Sequence, residues 1–171
     1  MSPSPFVVEW IARHPPPKDS VSRALDVAMG RGRHAVALAR SGYRTFGVDV
    51  RFDAVRDAVE TAHAAGLVVL GWCADLTDAP LPTARFDLVV VTRYLQRDLF
   101  PSLRASLVSG GVMLYETFTT AQRAIGRGPT SPDHLLEPGE LPRELEGFDV
   151  LLYEEVSEPD AVARIAARRV A

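Results

Sequence analysis

Ala24-Leu25-Asp26-Val27-Ala28-Met29-Gly30-Arg31-Gly32-Arg33-His34-Ala35 starts as a short apolar run, turns through two glycines and continues with helical spacing. The turn must reverse the chain sharply and let a neighbour or ligand approach its backbone. Glycine serves both needs, having no Cβ and tolerating φ > 0. Gly30, Gly32 and Ala35 fit the pattern G-x-G-x-x-G/A, and Asp49 follows Gly30 by 19 positions, near the spacing of about 20 expected for a nucleotide-type loop. A ligand-free strand-to-helix turn would use the same glycines, so the pair alone leaves both readings open.

Outward from this turn, strand-like runs at 24–28, 44–50, 67–73, 86–92 and 112–118 alternate with helical patterns at 33–41, 52–65 and about 99–108. Gly42, Gly66 and Gly110 stand where those helices are expected to end. The alternation predicts a three-layer α/β domain with a mostly parallel sheet. Residues 148–156 and 163–170, with Ser157–Asp160 between them, predict a C-terminal antiparallel hairpin that completes seven strands. An amphipathic stretch, Phe6–Arg13, precedes Pro15–Pro17, and residues 1–18 are expected to form a lid. Gly128–Pro142 is rich in proline and turn residues, so 119–146 is expected to cap a pocket above the sheet. The whole of 1–171 reads as a single domain.

With 47% apolar residues, 24% charged residues and a net charge of -3, the composition is that of a globular protein. Nineteen basic against 22 acidic residues do not suit a phosphate-backbone partner, so a small molecule and no nucleic acid is expected. Cys73 is the single cysteine, which excludes an internal disulfide and a cysteine zinc cluster; no metal site is expected. Without a leader-like N-terminus or an apolar run of spanning length, a cytoplasmic protein with no membrane association is expected. Oligomeric state is not legible.

Asp26 is an acid inside an apolar strand. A carboxylate there would repel a diphosphate and attract the ammonium and sulfonium of S-adenosylmethionine; alternatively it caps backbone N–H groups of its own loop. Asp49 closes Gly47-Val-Asp and suits both ribose hydroxyls, or else caps the helix opening at Phe52. Asp75 closes Cys73-Ala-Asp and suits the adenine amine, or else is a turn residue. Acids at the carboxyl ends of three successive strands mark the edge where open α/β sheets bind ligands.

These segments, with Phe86-Asp-Leu-Val-Val-Val-Thr-Arg-Tyr-Leu-Gln-Arg, Gly110-Gly-Val-Met-Leu-Tyr-Glu-Thr-Phe and Pro132-Asp-His-Leu-Leu-Glu-Pro-Gly-Glu-Leu, resemble the class I methyltransferases of Rossmann-like fold. Within them the chain is similar to the small bacterial group of tellurite-resistance type. The resemblance implies S-adenosylmethionine as cofactor and S-adenosylhomocysteine as product. It places Asp26, Ala28, Gly30 and Gly32 around the methionine part, Asp49 at the ribose, and Asp75 and Leu76 at the adenine, with Val50 among the cofactor-binding residues. Thr92 and Arg13 join the cofactor set, Arg13 near the cofactor carboxylate.

Methyl transfer is a displacement that needs alignment and exclusion of water. Arg93 and Arg97 are expected to hold an anionic substrate, and Tyr94 and Phe118 to line the sulfonium pocket. Glu116 is the candidate general base and Tyr94 a second catalytic candidate. With a thiol or chalcogen acceptor, the thiolate or the analogous anion of selenium or tellurium would need no base. The competing readings are an NAD-dependent oxidoreductase, weakened because the only lysine, Lys18, precedes the glycine loop, and a non-catalytic cofactor-binding protein.

Overall fold

In the computed structural model, which describes residues 2–171, helix α1 (Pro5–Arg13) leads into β1 (Arg23–Val27), α2 (Arg33–Arg40), β2 (Arg44–Asp49), α3 (Phe52–Ala64) and β3 (Val69–Cys73). There follow β4 (Phe86–Thr92), α4 (Phe100–Ser106), β5 (Leu107–Phe118), α5 (Gln122–Ile125), α6 (Glu140–Glu144), β6 (Phe148–Val156) and β7 (Val162–Arg169). The sheet order is β3-β2-β1-β4-β5-β7-β6. The first five strands are parallel, while β7 runs antiparallel between β5 and β6. This is the expected three-layer, mostly parallel seven-stranded sheet ending in an antiparallel hairpin.

The central strands are apolar throughout because both faces are covered. On one face Phe6, Val7 and Ile11 of α1 and Leu38 of α2 pack on Ala24, Leu88, Val90 and Leu114, and α3 adds Val55, Ala58 and Ala62. On the other, Leu25, Val89, Val91, Met113 and Ile165 meet Phe100 and Leu103 of α4 and Leu141 of α6. Leu136, Leu141 and Leu145 are buried in this second face, so within 119–146 the stretch 136–145 is packed onto it. Among the described residues no helix is long and apolar enough to cross a membrane.

Two of the expected glycine stops form as read. Gly42 (φ 97) and Gly66 (φ 70) end α2 and α3 with paired bonds, Tyr43 N–H to Leu38 O with Gly42 N–H to Ala39 O, and Leu67 N–H to Ala62 O with Gly66 N–H to His63 O. Gly110 does not end a helix. The helix stops at Ser106, β5 begins at Leu107, and Gly110 (φ 78) lies inside that strand, where the register with β4 shifts between Phe86 and Leu88. The cause is tertiary. Arg169 of β7 donates to the carbonyls of Arg104, Ala105 and Leu107, while Ala84 N–H and Arg85 N–H take those of Ala105 and Ser106. The last carbonyls of α4 are thus bonded outside the helix.

Candidate active site

After β1 the chain turns through Ala28 (φ 52), Gly30 (φ 53) and Gly32 (φ 76). An alanine held in the left-handed region is a strained position of the kind that collects at functional sites. The glycines answer different constraints. A Cβ at Gly32 would lie 2.6 Å from the Cβ of Ala58, so its absence lets α2 and α3 meet; a Cβ at Gly30 would meet no protein atom within 4 Å. Gly30 faces open space.

That space has two compartments. One, of about 700 Å³, is bounded by Pro3, Gly32, Arg33, Thr92 and Arg93. The other, of about 510 Å³, is bounded by Asp49, Val50, Asp75, Leu76 and Tyr94. Ala28 and Gly30 line both, so they form one trough across the carboxyl ends of β1 to β4, where α/β sheets receive ligands.

Charge divides along the trough. Arg31, Arg33, Arg40 and Arg93 line the larger compartment, with no carboxylate among its walls. Burial and the Arg93 charge lower the pKa of the Arg33 guanidinium. The smaller compartment carries Asp49 and Asp75, with Arg51 as its one basic residue. Asp49 ties the loop down, its Oδ2 accepting from Gly30 N–H at 2.8 Å and its Oδ1 from Arg51 N–H at 3.0 Å. Asp75 accepts from the Thr77 hydroxyl at 2.6 Å and the Thr77 N–H at 2.9 Å, bonds that hold its carboxyl below the usual carboxylate range.

His34 was not among the expected site residues, yet it braces the larger compartment. It is 1% exposed, and its Nε2 accepts from Ser4 N–H at 2.9 Å. The neutral ring therefore carries its proton on Nδ1 and donates to Thr92 Oγ1 at 3.2 Å. Burial, then the charges of Arg33 and Arg93, hold its pKa down to about 4. Arg33 also donates to Ser2 O at 3.0 Å, which helps bring Pro3 to the wall. Arg33 and His34 carried a readable signal, following Gly32 directly; Pro3 carried none.

Several expected residues lie elsewhere. Asp26 lines neither compartment: it is 1% exposed and its Oδ2 accepts from Ala35 N–H at 2.9 Å, the local capping geometry. Desolvation pushes its carboxyl up to about 7. Arg13 ends the far turn of α1, paired with Glu9 at 3.7 Å and bordering a separate groove with Trp10 and Leu151. Arg97 is committed to the packed segment, bonding Glu140 at 2.6 and 3.0 Å and Leu135 O at 2.9 Å. Glu116 is buried in an ion pair with Arg164 at 2.5 Å. Phe118 borders neither compartment; the Arg93 guanidinium sits 5.5 Å from its ring centre. Tyr94 lines the trough at its acidic end, with its hydroxyl donating to Gln96 Oε1 and its carbonyl accepting from Tyr115 at 2.8 Å. For Arg97 and Glu116 the displacement has a tertiary cause, since Glu140 and Arg164, each more than 40 residues away, hold them by ion pairs.

A family model described as a methyltransferase domain matches residues 24–111. No curated protein matches the sequence. Among solved structures, TehB from Haemophilus influenzae is similar over 98% of this chain and 62% of its own, with 18% identity and a TM-score of 0.78. An S-adenosylmethionine-dependent methyltransferase from Mesorhizobium loti is similar over 95% of this chain and 98% of its own, at 22% identity and a TM-score of 0.72. The 4+2 cyclase SpnF shares the fold as well, over 97% and 80%, at 18% identity and a TM-score of 0.77. The same fold thus carries more than one chemistry.

Proposed function

The chain belongs to the methyltransferase-domain family, and on that premise we propose that its trough binds S-adenosylmethionine and that the methyl group passes to a small acceptor, anionic at neutral pH. The observation that carries this reading is the polarity of the trough. Asp49 and Asp75 offer acceptors to ribose hydroxyls and an adenine amine at one end, while Arg33 and Arg93 suit the amino-acid carboxylate at the other. Gly30 fits the same ligand, since its missing Cβ leaves open space where both compartments meet.

When bound, the cofactor supplies an activated methyl group on a sulfonium; the chain's residues bind, orient and exclude water. No free general base stands at the arginine end. His34 Nε2 is occupied by Ser4 N–H, and Glu116 is held by Arg164. A thiolate, or the analogous anion of selenium or tellurium, needs no base, and the arginines would attract it.

The test is isothermal titration with S-adenosylhomocysteine and with NAD, beside the Asp49→Ala variant, followed by methyl transfer to a panel of thiols whose pKa values run from below to above the assay pH. Binding of S-adenosylhomocysteine that weakens about tenfold or more in the variant, with no heat from NAD, is expected. Heat from NAD alone would overturn the cofactor assignment, and transfer only to acceptors neutral at assay pH would overturn the acceptor class.

A further inference from the structure

The opposite edge of the sheet carries a second cavity, of about 460 Å³, lined by Arg23, Arg44 and Arg85 with Phe46, Trp72 and Phe86. It lies at the amino-terminal ends of β1, β2 and β4 and includes none of the residues of the trough. We propose that this cavity binds a nucleoside diphosphate, its base stacked on the aromatic floor and its phosphates held by the three guanidiniums.

The arginines are the first ground. All three are exposed, and none makes a described side-chain hydrogen bond or ion pair with a carboxylate. Arg23 and Arg44 sit directly opposite each other across β1 and β2. Like charges so placed repel. Asp87, the acid next to Phe86 on β4, accepts Arg23's backbone N–H at 2.7 Å and forms no described ion pair with the three guanidiniums. An anion bound between the arginines would remove a repulsion that the fold leaves standing.

The aromatic floor is the second ground. Phe46 and Phe86 meet edge to face with centroids 5.7 Å apart. Phe46 and Trp72 are only partly buried, and β3 connects to β4 through a loop, not a helix. Arg44 already stands 5.8 Å from the Phe46 ring centre. Guanidiniums beside partly open aromatic rings suit a planar base joined to phosphate, and the cavity volume suits one nucleotide in place of a polymer.

The experiment uses the full chain with Trp10→Phe, which leaves Trp72 as the sole tryptophan of two. ADP is titrated against Trp72 fluorescence with S-adenosylhomocysteine present in excess, and adenosine and inorganic pyrophosphate are titrated separately. Expected is saturable quenching by ADP below about 1 mM, with adenosine and pyrophosphate each at least about tenfold weaker. Arg44→Gln and Arg85→Gln should each raise the half-saturation about tenfold, while Asp49→Ala leaves it unchanged. Unliganded Arg44→Gln should melt no lower than its parent, because the repulsion has gone. The proposal is overturned if ADP gives no saturation, if the arginine variants titrate like the parent, if pyrophosphate alone matches ADP, or if Asp49→Ala abolishes the signal, which would assign ADP to the trough. A failure to bind S-adenosylhomocysteine bears on the methyltransferase reading alone, since the arginine dependence is read either way.

Discussion

Gly30 and Gly32 stand two positions apart in the same left-handed region, yet substitution should separate them. In Gly30→Ala the new Cβ enters open space, so stability falls only by the backbone strain, about 1 kcal/mol, while S-adenosylhomocysteine binding drops about tenfold or more because the Cβ occupies the trough. In Gly32→Ala the Cβ would stand 2.6 Å from that of Ala58, and a loss of about 3 kcal/mol is expected from strain plus overpacking. Thermal melts paired with titration would show equal effects on both readouts if the two glycines served one purpose. Beside them, two buried groups titrate in opposite senses. The His34 imidazole is held down to about 4 from 6.5, so below pH 6.5 the unfolded chain takes up a proton that the folded chain refuses, and stability falls as pH drops from 6.5 to about 4. The Asp26 carboxyl is pushed up to about 7 from 3.8, so in that window the folded chain holds a proton the unfolded chain has lost, and stability rises as pH falls. Between about pH 7.5 and about pH 4.5, His34→Gln should therefore lose less melting temperature than the parent, and Asp26→Asn should lose more. Parallel curves for all three proteins would refute both assignments. Asp26 itself was visible in the sequence as an unusual acid. What it bonds was not, because Ala35 N–H and a ligand ammonium are equally good partners until the trough wall is placed.

Among the elements, the segment between β5 and β6 combines buried leucines with one largely buried carboxylate that is neutralised by an ion pair. The Glu140 side chain is 8% exposed, and its burial is offset first by the hydrogen bond from Arg97, which keeps its carboxyl below the ordinary value. Arg97→Ala would leave that carboxylate buried without its partner. The Arg97 side chain is 40% exposed, so the loss should be about 2 kcal/mol, below that of a fully buried pair. Limited proteolysis should then cut faster around Gly126–Ser131, with S-adenosylhomocysteine affinity nearly unchanged; a large loss of affinity would instead place Arg97 in the trough. Helix α4 teaches the same lesson about legibility. Its start and its apolar face were readable from spacing, but its end was not, since Arg169, 65 residues beyond Arg104, takes carbonyls that a local reading assigns to a longer helix closed at Gly110. Where the stop is a local glycine bond, as at Gly42 and Gly66, the sequence suffices.

Across the whole molecule, the two tryptophans lie on separate elements, Trp10 on α1 and Trp72 on the edge strand β3. Because α1 buries Phe6, Val7 and Ile11 against the same sheet that β3 borders, one cooperative unfolding transition is expected. In Trp10→Phe and in Trp72→Phe, the midpoint read by the remaining tryptophan should coincide with that read by far-UV circular dichroism of the same variant, whereas separated midpoints within one variant would mean that the N-terminal helix or the strand edge melts by itself. The sequence by itself determined the layer order, the mostly parallel sheet, the closing hairpin and the strand ends on which Asp49 and Asp75 meet the trough. These follow from periodicity and from short-range glycine chemistry, which act within a few residues. Only the tertiary structure decided that Arg97 joins Glu140, that Glu116 joins Arg164, that His34 links Ser4 to Thr92, and that Arg23, Arg44 and Arg85 converge on three aromatic rings. A charged or polar side chain has many equivalent partners in the sequence, and burial, which removes water from the competition, selects one of them only once the sheet is assembled.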